Sequence, residues 1–340
     1  MSLRESGRVG ESGRSAPACP AALLTDGRVG LRVNTGRMSQ AAPVPSVVDH
    51  SVHSRYSDPG RHAAALRAIP AEIPDVSAVA RNVIVHYRAS GRELPTSTDQ
   101  DIHSRWLSVI LDRDAERHPA PLTAAREPVE RVQGCCRDHT LLSVGVLRQH
   151  GIPARSRIGF ASYFSPTWNH DHVIVEMWNG ARWLRFDPEV AEPSAALPTP
   201  LDIPAGPAAP FRTAAEVWQG HRDGSLDVET FGVDESVPVI RGRWFVRDYV
   251  IREVAHRFGD ELLLWDNWGA MTGPEDDSAD GGAVDVLIDE VAALLVAADA
   301  GDLAAERGLL RRYRDDERLR PGAKVLRADP RGPDLIEVML

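Results

Sequence analysis

The sequence predicts an α+β fold in which a central helix packs on an antiparallel sheet, and three observations carry that prediction. Thr140, Leu141, Leu142, Val144, Val146 and Leu147 form an apolar-rich run that stops at His150-Gly151-Ile152-Pro153. Glycine just past a last turn, with proline two residues on, ends a helix. Residues 171–178 and 182–187 are rich in β-branched and aromatic side chains and flank Asn179-Gly180, the strongest short-range hairpin signal. On both sides of this centre the apolar spacing is helical.

Taken in order, residues 1–45 are rich in Gly, Ser, Arg and Ala without sustained apolar periodicity, so they read as a disordered tail. Pro17 and Pro20 interrupt the only apolar stretch there, which excludes a secretory core, and Met38 offers an alternative start. The segment 46–340 reads as a single domain. Asp58-Pro59-Gly60 opens a helix through Ala63, Leu66 and Ile69; further helices are expected over 76–87 and 99–113. Residues 131–190 form the chemical core, and a Pro/Ala-rich crossing follows at 192–210. A mostly helical extension then fills 211–340, with helices at 214–221, 245–265, 283–298 and 303–313 and an acidic loop at 274–280.

Composition narrows the function. With 49 acidic against 39 basic residues the formal charge is -10, which repels phosphate backbones and argues against a nucleic-acid partner. No stretch reaches the eighteen or so uninterrupted apolar residues of a membrane span. Lys324 is the only lysine, a sign of coding bias rather than function. Cys19, Cys135 and Cys136 make no disulfide framework, since two are adjacent, and a reducing cytoplasmic setting is expected.

Cys135 and Cys136 stand at the expected start of the central helix. Unpaired N–H groups and the positive end of the dipole favour a thiolate there, the state a nucleophilic cysteine needs. If Asn179-Gly180 is a two-residue turn, Trp178 faces Ala181 and His172 lies directly opposite Asp187. Directly opposed residues share a face with Cβ atoms about 4.5–5.5 Å apart, within reach of an imidazole–carboxylate hydrogen bond. A helix-capping Cys, a strand His and a neighbouring Asp follow the logic of an activated nucleophile.

These residues resemble the transglutaminase-like superfamily, related to papain. Its core reads Gly-x-Cys-x-acid-aromatic, Gly-Ile-Pro-Ala-Arg, His-x-x-x-Glu and Phe-Asp-Pro. Here the segments stand as Gly134-Cys135-Cys136-Arg137-Asp138-His139, Gly151-Ile152-Pro153-Ala154-Arg155, His172 through Glu176, and Phe186-Asp187-Pro188. The match covers about sixty residues, and Ser57-Asp58-Pro59-Gly60 and 264–269 look similar to a stand-alone bacterial branch. The resemblance implies a papain/transglutaminase-like core and a cofactor-free enzyme. A triad of Cys136, His172 and Asp187 would attack an amide and form a thioester. The acyl group would then pass to water or to an amine, so the partner is a peptide or small-molecule amide with, in the transfer case, an amine acceptor. The acid and ring following the nucleophile place it on Cys136, with Cys135 in the variable slot. His139 stands where an aromatic is commoner and Thr140 where Ala is usual.

Four further residues enter as candidates. Gln133 would donate its amide to the oxyanion alongside the Cys136 N–H. Glu176 shares the strand face of His172 and would orient substrate. Tyr163 and Trp168, in an aromatic loop before the strand, would wall the cleft. The cluster 265–268 reads as helix-end packing or as a lid. Two other classes stay open: a catalytically silent binding module on the same fold, and a structural metal site built from His139, His170, His172 and the two cysteines.

Overall fold

The computed structural model describes Val44, residues 46–276 and residues 282–340. The tail expected over 1–45 lies outside the described residues, Val44 excepted, as does most of the acidic loop. The described elements fall within one unit, Ala41–Leu340.

Helix α1 (Ala63–Arg67) and helix α2 (Ile73–Val83) open the fold. In α2, Val76, Val79, Ala80 and Val83 recur at helical spacing and are buried. The helix expected to reach residue 87 stops four residues early. Ile84 turns the chain into strand β1 (Ile84–His86), because the β-branched run Val83-Ile84-Val85 suits an extended backbone. The helix expected over 99–113 is a 3-10 segment, Thr96–His103, followed by α3 (Leu107–Arg117). Strand β2 (Val132–Gly134) pairs in parallel with β1, setting His86 against Gly134.

Helix α4 (Cys136–Gln149) is the predicted central helix, and every residue from Cys136 to Arg148 is buried. It packs on α1, α2 and α3 on one side and on strands β3 (Ala154–Ala161) and β4 (Asn169–Trp178) on the other. Strand β5 (Trp183–Phe186) continues the antiparallel sheet beyond β4, and β6 (Phe211–Thr213) flanks β3. Helix α5 (Ala214–Arg222) and strand β7 (Phe231–Gly232) follow; β7 pairs in parallel with the start of β4. The resulting order is β5-β4-β3-β6. The fold is therefore an α+β, papain/transglutaminase-like core.

The C-terminal part departs from a helical extension. Helix α6 (Gly242–Arg257) ends eight residues before expectation, where Gly259 adopts φ 88°, the left-handed stop that only glycine takes without strain. Strand β8 (Asp266–Asn267), helices α7 (Gly282–Asp299) and α8 (Leu303–Asp315), and strands β9 (Lys324–Ala328) and β10 (Leu335–Met339) complete the chain. The last two form an antiparallel hairpin that pairs with β8. Among the described residues no helix is long and apolar enough to cross a membrane.

The layer between sheet and C-terminal helices is charged. Arg157 of β3 is 1% exposed and reaches Glu253 of α6 at 3.0 Å and Asp299 of α7. Arg257 joins Asp299 at 2.6 Å and Glu306 of α8 at 2.8 Å. Burial costs such charges dearly unless each is paired, so the cluster sets the docking of α6, α7 and α8 and tolerates no missing member. Replacing Arg157 by Leu takes from Glu253 its 3.0 Å cation and leaves Asp299 with Arg257 and Arg155 only. We expect that change to lower unfolding free energy by about 3–5 kcal/mol, read from the urea midpoint.

Candidate active site

The N-terminus of α4 is held by three devices. Asp138 accepts a hydrogen bond from the Cys135 N–H at 2.9 Å, the acidic half of a capping box. Gly134 permits this close return, since a Cβ there would lie 2.8 Å from Asp138 Oδ2. Arg137, buried, donates to the carbonyl of Glu261 (Nε, 3.1 Å), to that of Ser104 (3.2 Å) and to Asp138 Oδ1 (2.8 Å). One turn into the helix, the Thr140 hydroxyl donates to the Val173 carbonyl at 2.8 Å, fastening α4 to β4 immediately beside His172. That bond explains a hydroxyl where the resemblance led to alanine.

His172 Nε2 and Asp187 Oδ2 are 2.8 Å apart, and Asp187 is fully buried. The pairing differs in register from expectation. Trp178 faces Trp183 rather than Ala181, so the connection is four residues long, with Asn179 Oδ1 accepting the N–H groups of Ala181 and Arg182. The slip is two positions, which preserves the face on which each side chain points, so the bond forms diagonally instead of directly across. Asp187 Oδ2 also accepts the Tyr163 hydroxyl at 2.6 Å, and Oδ1 accepts the Glu189 N–H at 2.9 Å. Tyr163 therefore sits behind the carboxylate and positions it. Phe164 takes the place on the wall, 5.0 Å edge-on from the His172 ring.

Cys135, Cys136 and His172 open on a cavity of about 870 Å³. Trp244, Phe245, Leu264, Trp265 and Met271 make an apolar side, and Leu326 and Leu335 of the β9–β10 hairpin close another. His86, Asp171 and Glu189 add polar groups to the lining. The Tyr249 hydroxyl donates to Asp171 Oδ2.

Burial alone would lower the His172 pKa, but the charge and hydrogen bond of Asp187, helped by Glu189 and Asp171, raise it above its usual 6.5. Burial works against the Asp187 carboxylate too, yet His172 and the Tyr163 hydroxyl hold its pKa below the usual range. The Cys136 thiol moves against expectation. Its hydrogen bond with the Cys135 thiol, burial, and the charges of Cys135, Asp171 and Glu189 push its pKa well up. The pull of the helix terminus, which led to the expectation of a lowered pKa, is opposed there by a second thiol and two carboxylates.

Three sequence candidates lie elsewhere. The Gln133 amide nitrogen is bound by the Pro95 carbonyl (2.9 Å) and Thr98 Oγ1 (2.7 Å), so it has no donor to offer an oxyanion. Glu176 accepts from Arg155 (2.7 Å) and Arg185 (2.8 Å) inside the charged layer, and it orients the sheet rather than a substrate. Trp168 is buried, donating to the Gly232 carbonyl at 3.2 Å. The 265–268 cluster divides: Trp265 faces the cavity, whereas Asp266 is clasped by Arg105 at 2.9 and 2.6 Å and Trp268 donates to the Leu319 carbonyl. Among the described residues no group of three or more His, Cys, Asp or Glu side chains is arranged to hold a metal ion. Sequence reasoning passed over His86, which fell inside an expected helix, and Glu189, whose signal was its place two residues after Asp187.

A buried cysteine at a helix start, with an imidazole and carboxylate paired on the adjoining sheet, defines a papain-like thiol site. Residues 86–188 match the family model of the transglutaminase-like superfamily. Over 42% of each chain, at 19% identity and a TM-score of 0.28, the protein is also similar to the crystal structure of a candidate cysteine protease from Cytophaga hutchinsonii. No curated protein sequence matches it.

Two predictions follow from the electrostatics. In Asp187→Ala the burial cost acts on His172 unopposed by its nearest carboxylate, so its NMR titration midpoint should fall from above 6.5 to below the wild-type value by at least about one unit. In Cys135→Ala the largest cause of the Cys136 elevation disappears, and iodoacetamide alkylation of Cys136 at pH 7 should quicken about tenfold. An unchanged rate would mean that burial and the neighbouring carboxylates, not Cys135, set the thiol.

Proposed function

We propose that the protein is a cysteine-dependent amide hydrolase or acyltransferase working through a thioester, with Cys136 as nucleophile, His172 as base and then acid, and Asp187 as the orienter of His172. The observation that carries the reading is the His172 Nε2 to Asp187 Oδ2 bond of 2.8 Å, beside a helix-terminal cysteine that opens on the same cavity. Because Asp187 occupies Nε2, Nδ1 is the nitrogen left for proton transfer; among the described residues it has no hydrogen bond.

The raised pKa of Cys136 favours proton transfer in step with attack. Nδ1 takes the Cys136 proton as Sγ bonds to the amide carbon, leaving an imidazolium that Asp187 stabilises. Collapse of the tetrahedral intermediate breaks the C–N bond, and Nδ1–H protonates the departing amine. Water then attacks the thioester carbon and gives its proton to Nδ1. The thiol leaves as thiolate and regains that proton, and a carboxylic acid is released. An amine in place of water yields a new amide. Water needs no dedicated subsite, so hydrolysis is the favoured outcome, on a peptide or small-molecule amide with an apolar group for the aromatic wall.

The silent-module reading draws on one observation, that Cys136 is a buried free thiol beside a second buried free thiol, Cys135, with its pKa pushed well up. The two readings separate in a single experiment: incubation with a panel of peptidyl amides and activated esters, with and without a primary amine, followed by intact mass. The enzyme reading expects an acyl adduct on Cys136 that is absent in Cys136→Ala and decays to free acid. Absence of any adduct from wild type, or an adduct that survives in Cys136→Ala, would overturn it.

A further inference from the structure

The thioester mechanism creates an oxyanion, and the structure withdraws Gln133 as its side-chain donor. Among the described residues the backbone N–H of Cys136 makes no hydrogen bond, which leaves it as one donor. A second is needed for the charge to be held on two sides.

We infer that the Nε2–H of His86 is that second oxyanion donor, a role that rests on the thioester reading. Parallel pairing of β1 with β2 sets His86 against Gly134, two residues before the nucleophile, and the Tyr87 N–H to Gly134 carbonyl bond (2.9 Å) locks the pairing. The ring then reaches the cavity that Cys136 and His172 also line.

Its tautomer is set by the backbone. His86 Nδ1 lies 3.1 Å from the Arg88 N–H and 2.9 Å from the Ala89 N–H, and both of those groups donate. Nδ1 is thus an acceptor, so the neutral ring carries its proton on Nε2. Nε2 has no hydrogen-bond partner among the described residues, so this N–H is left for the cavity. Stacking on Tyr87, with ring centroids 5.5 Å apart and planes 9° from parallel, fixes the plane in which it points.

The ring also stays neutral. Burial lowers its pKa, and the neighbouring His139 and His172 add to that against the opposing charge of Glu189. A neutral donor suits an oxyanion hole beside a histidine base: it stabilises charge as charge develops and does not exchange protons with His172. Pre-organisation is supplied by a two-strand ladder and a tight turn, so no rearrangement is needed at the moment of reaction.

The test compares wild type with His86→Phe and His86→Gln by three measurements: turnover of the amide found above, affinity for a peptide aldehyde that forms a hemithioacetal, and iodoacetamide alkylation of Cys136. Alkylation generates no oxyanion, so it reports only whether thiol and fold survive. In His86→Phe we expect kcat to fall about 10²–10³-fold with KM within about threefold, aldehyde affinity to fall by a comparable factor, and alkylation to stay at the wild-type rate. His86→Gln, whose amide can donate, should recover part of the loss. The inference is overturned if aldehyde affinity in His86→Phe stays within about threefold of wild type, or if alkylation declines in parallel with it. Were the wild-type chain to form no thioester at all, the enzyme reading would fail, yet the aldehyde measurement would still read the His86 hydrogen bond by itself.

Discussion

The hydrogen bond between His172 Nε2 and Asp187 Oδ2 is the interaction around which the site is arranged, and it depends on strand parity more than on turn length. A connection of two residues or of four leaves His172 and Asp187 on the same face of the sheet, whereas three would put them on opposite faces. What then decides contact is how the end of β5 is held. Asp187 is drawn in by the Tyr163 hydroxyl and by the Glu189 N–H, and its own N–H donates to the Pro200 carbonyl at 2.9 Å. The carboxylate is thus saturated on every side, and its charge faces His172 with little freedom to turn elsewhere.

Cys136 comes from a different element, and the pieces that hold that element in place are polar. Thr140 ties α4 to the Val173 carbonyl, and Arg137 ties the helix start to the carbonyls of Ser104 and Glu261. All three bonds run between segments far apart in sequence, the first to β4 and the others to the loops after the 3-10 segment and after α6. These bonds set the start of α4 against β4, the strand that carries His172. They also explain why the C-terminal helices matter to a site they do not supply with a nucleophile. Arg157, Arg257 and their carboxylates clamp α6, α7 and α8 to the back of the sheet, and α6 in turn lends Phe245 and Tyr249 to the cavity.

The central helix, the sheet face and the His172–Asp187 pair were legible because each rests on local chemistry: a Gly-Ile-Pro stop, a period of two, a turn dipeptide. The candidates that failed are those whose role depends on long-range partners. Glu176 has the right parity, but parity cannot show that Arg155 and Arg185 reach it first. Gln133 has the right chemistry, but its amide is spent on Pro95 and Thr98, some thirty-five residues earlier. The β9–β10 hairpin is a different kind of miss. Val325 is buried while Lys324 and Leu326 are exposed, and the Asp329-Pro330-Arg331-Gly332-Pro333 turn stands between the strands. Both features are strand signals that the helical reading of 211–340 passed over.

The thiolate expectation shows where a local rule meets its limit. A helix terminus contributes a fraction of a charge to a thiol, worth roughly 0.3–1 kcal/mol at an exposed site. At Cys136 that term competes with burial, with a hydrogen bond to an adjacent thiol, and with Asp171 and Glu189, all of which act in the opposite direction. On the proposed thioester reading, a thiol whose pKa is pushed up beside a His172 whose pKa is raised divides the labour differently from a standing ion pair. The proton would move as the carbon is attacked, so the barrier would depend on stabilising the charge that appears on oxygen at that moment. N–H donors around Cys136 would then carry more of the catalysis than the resting charge on sulfur.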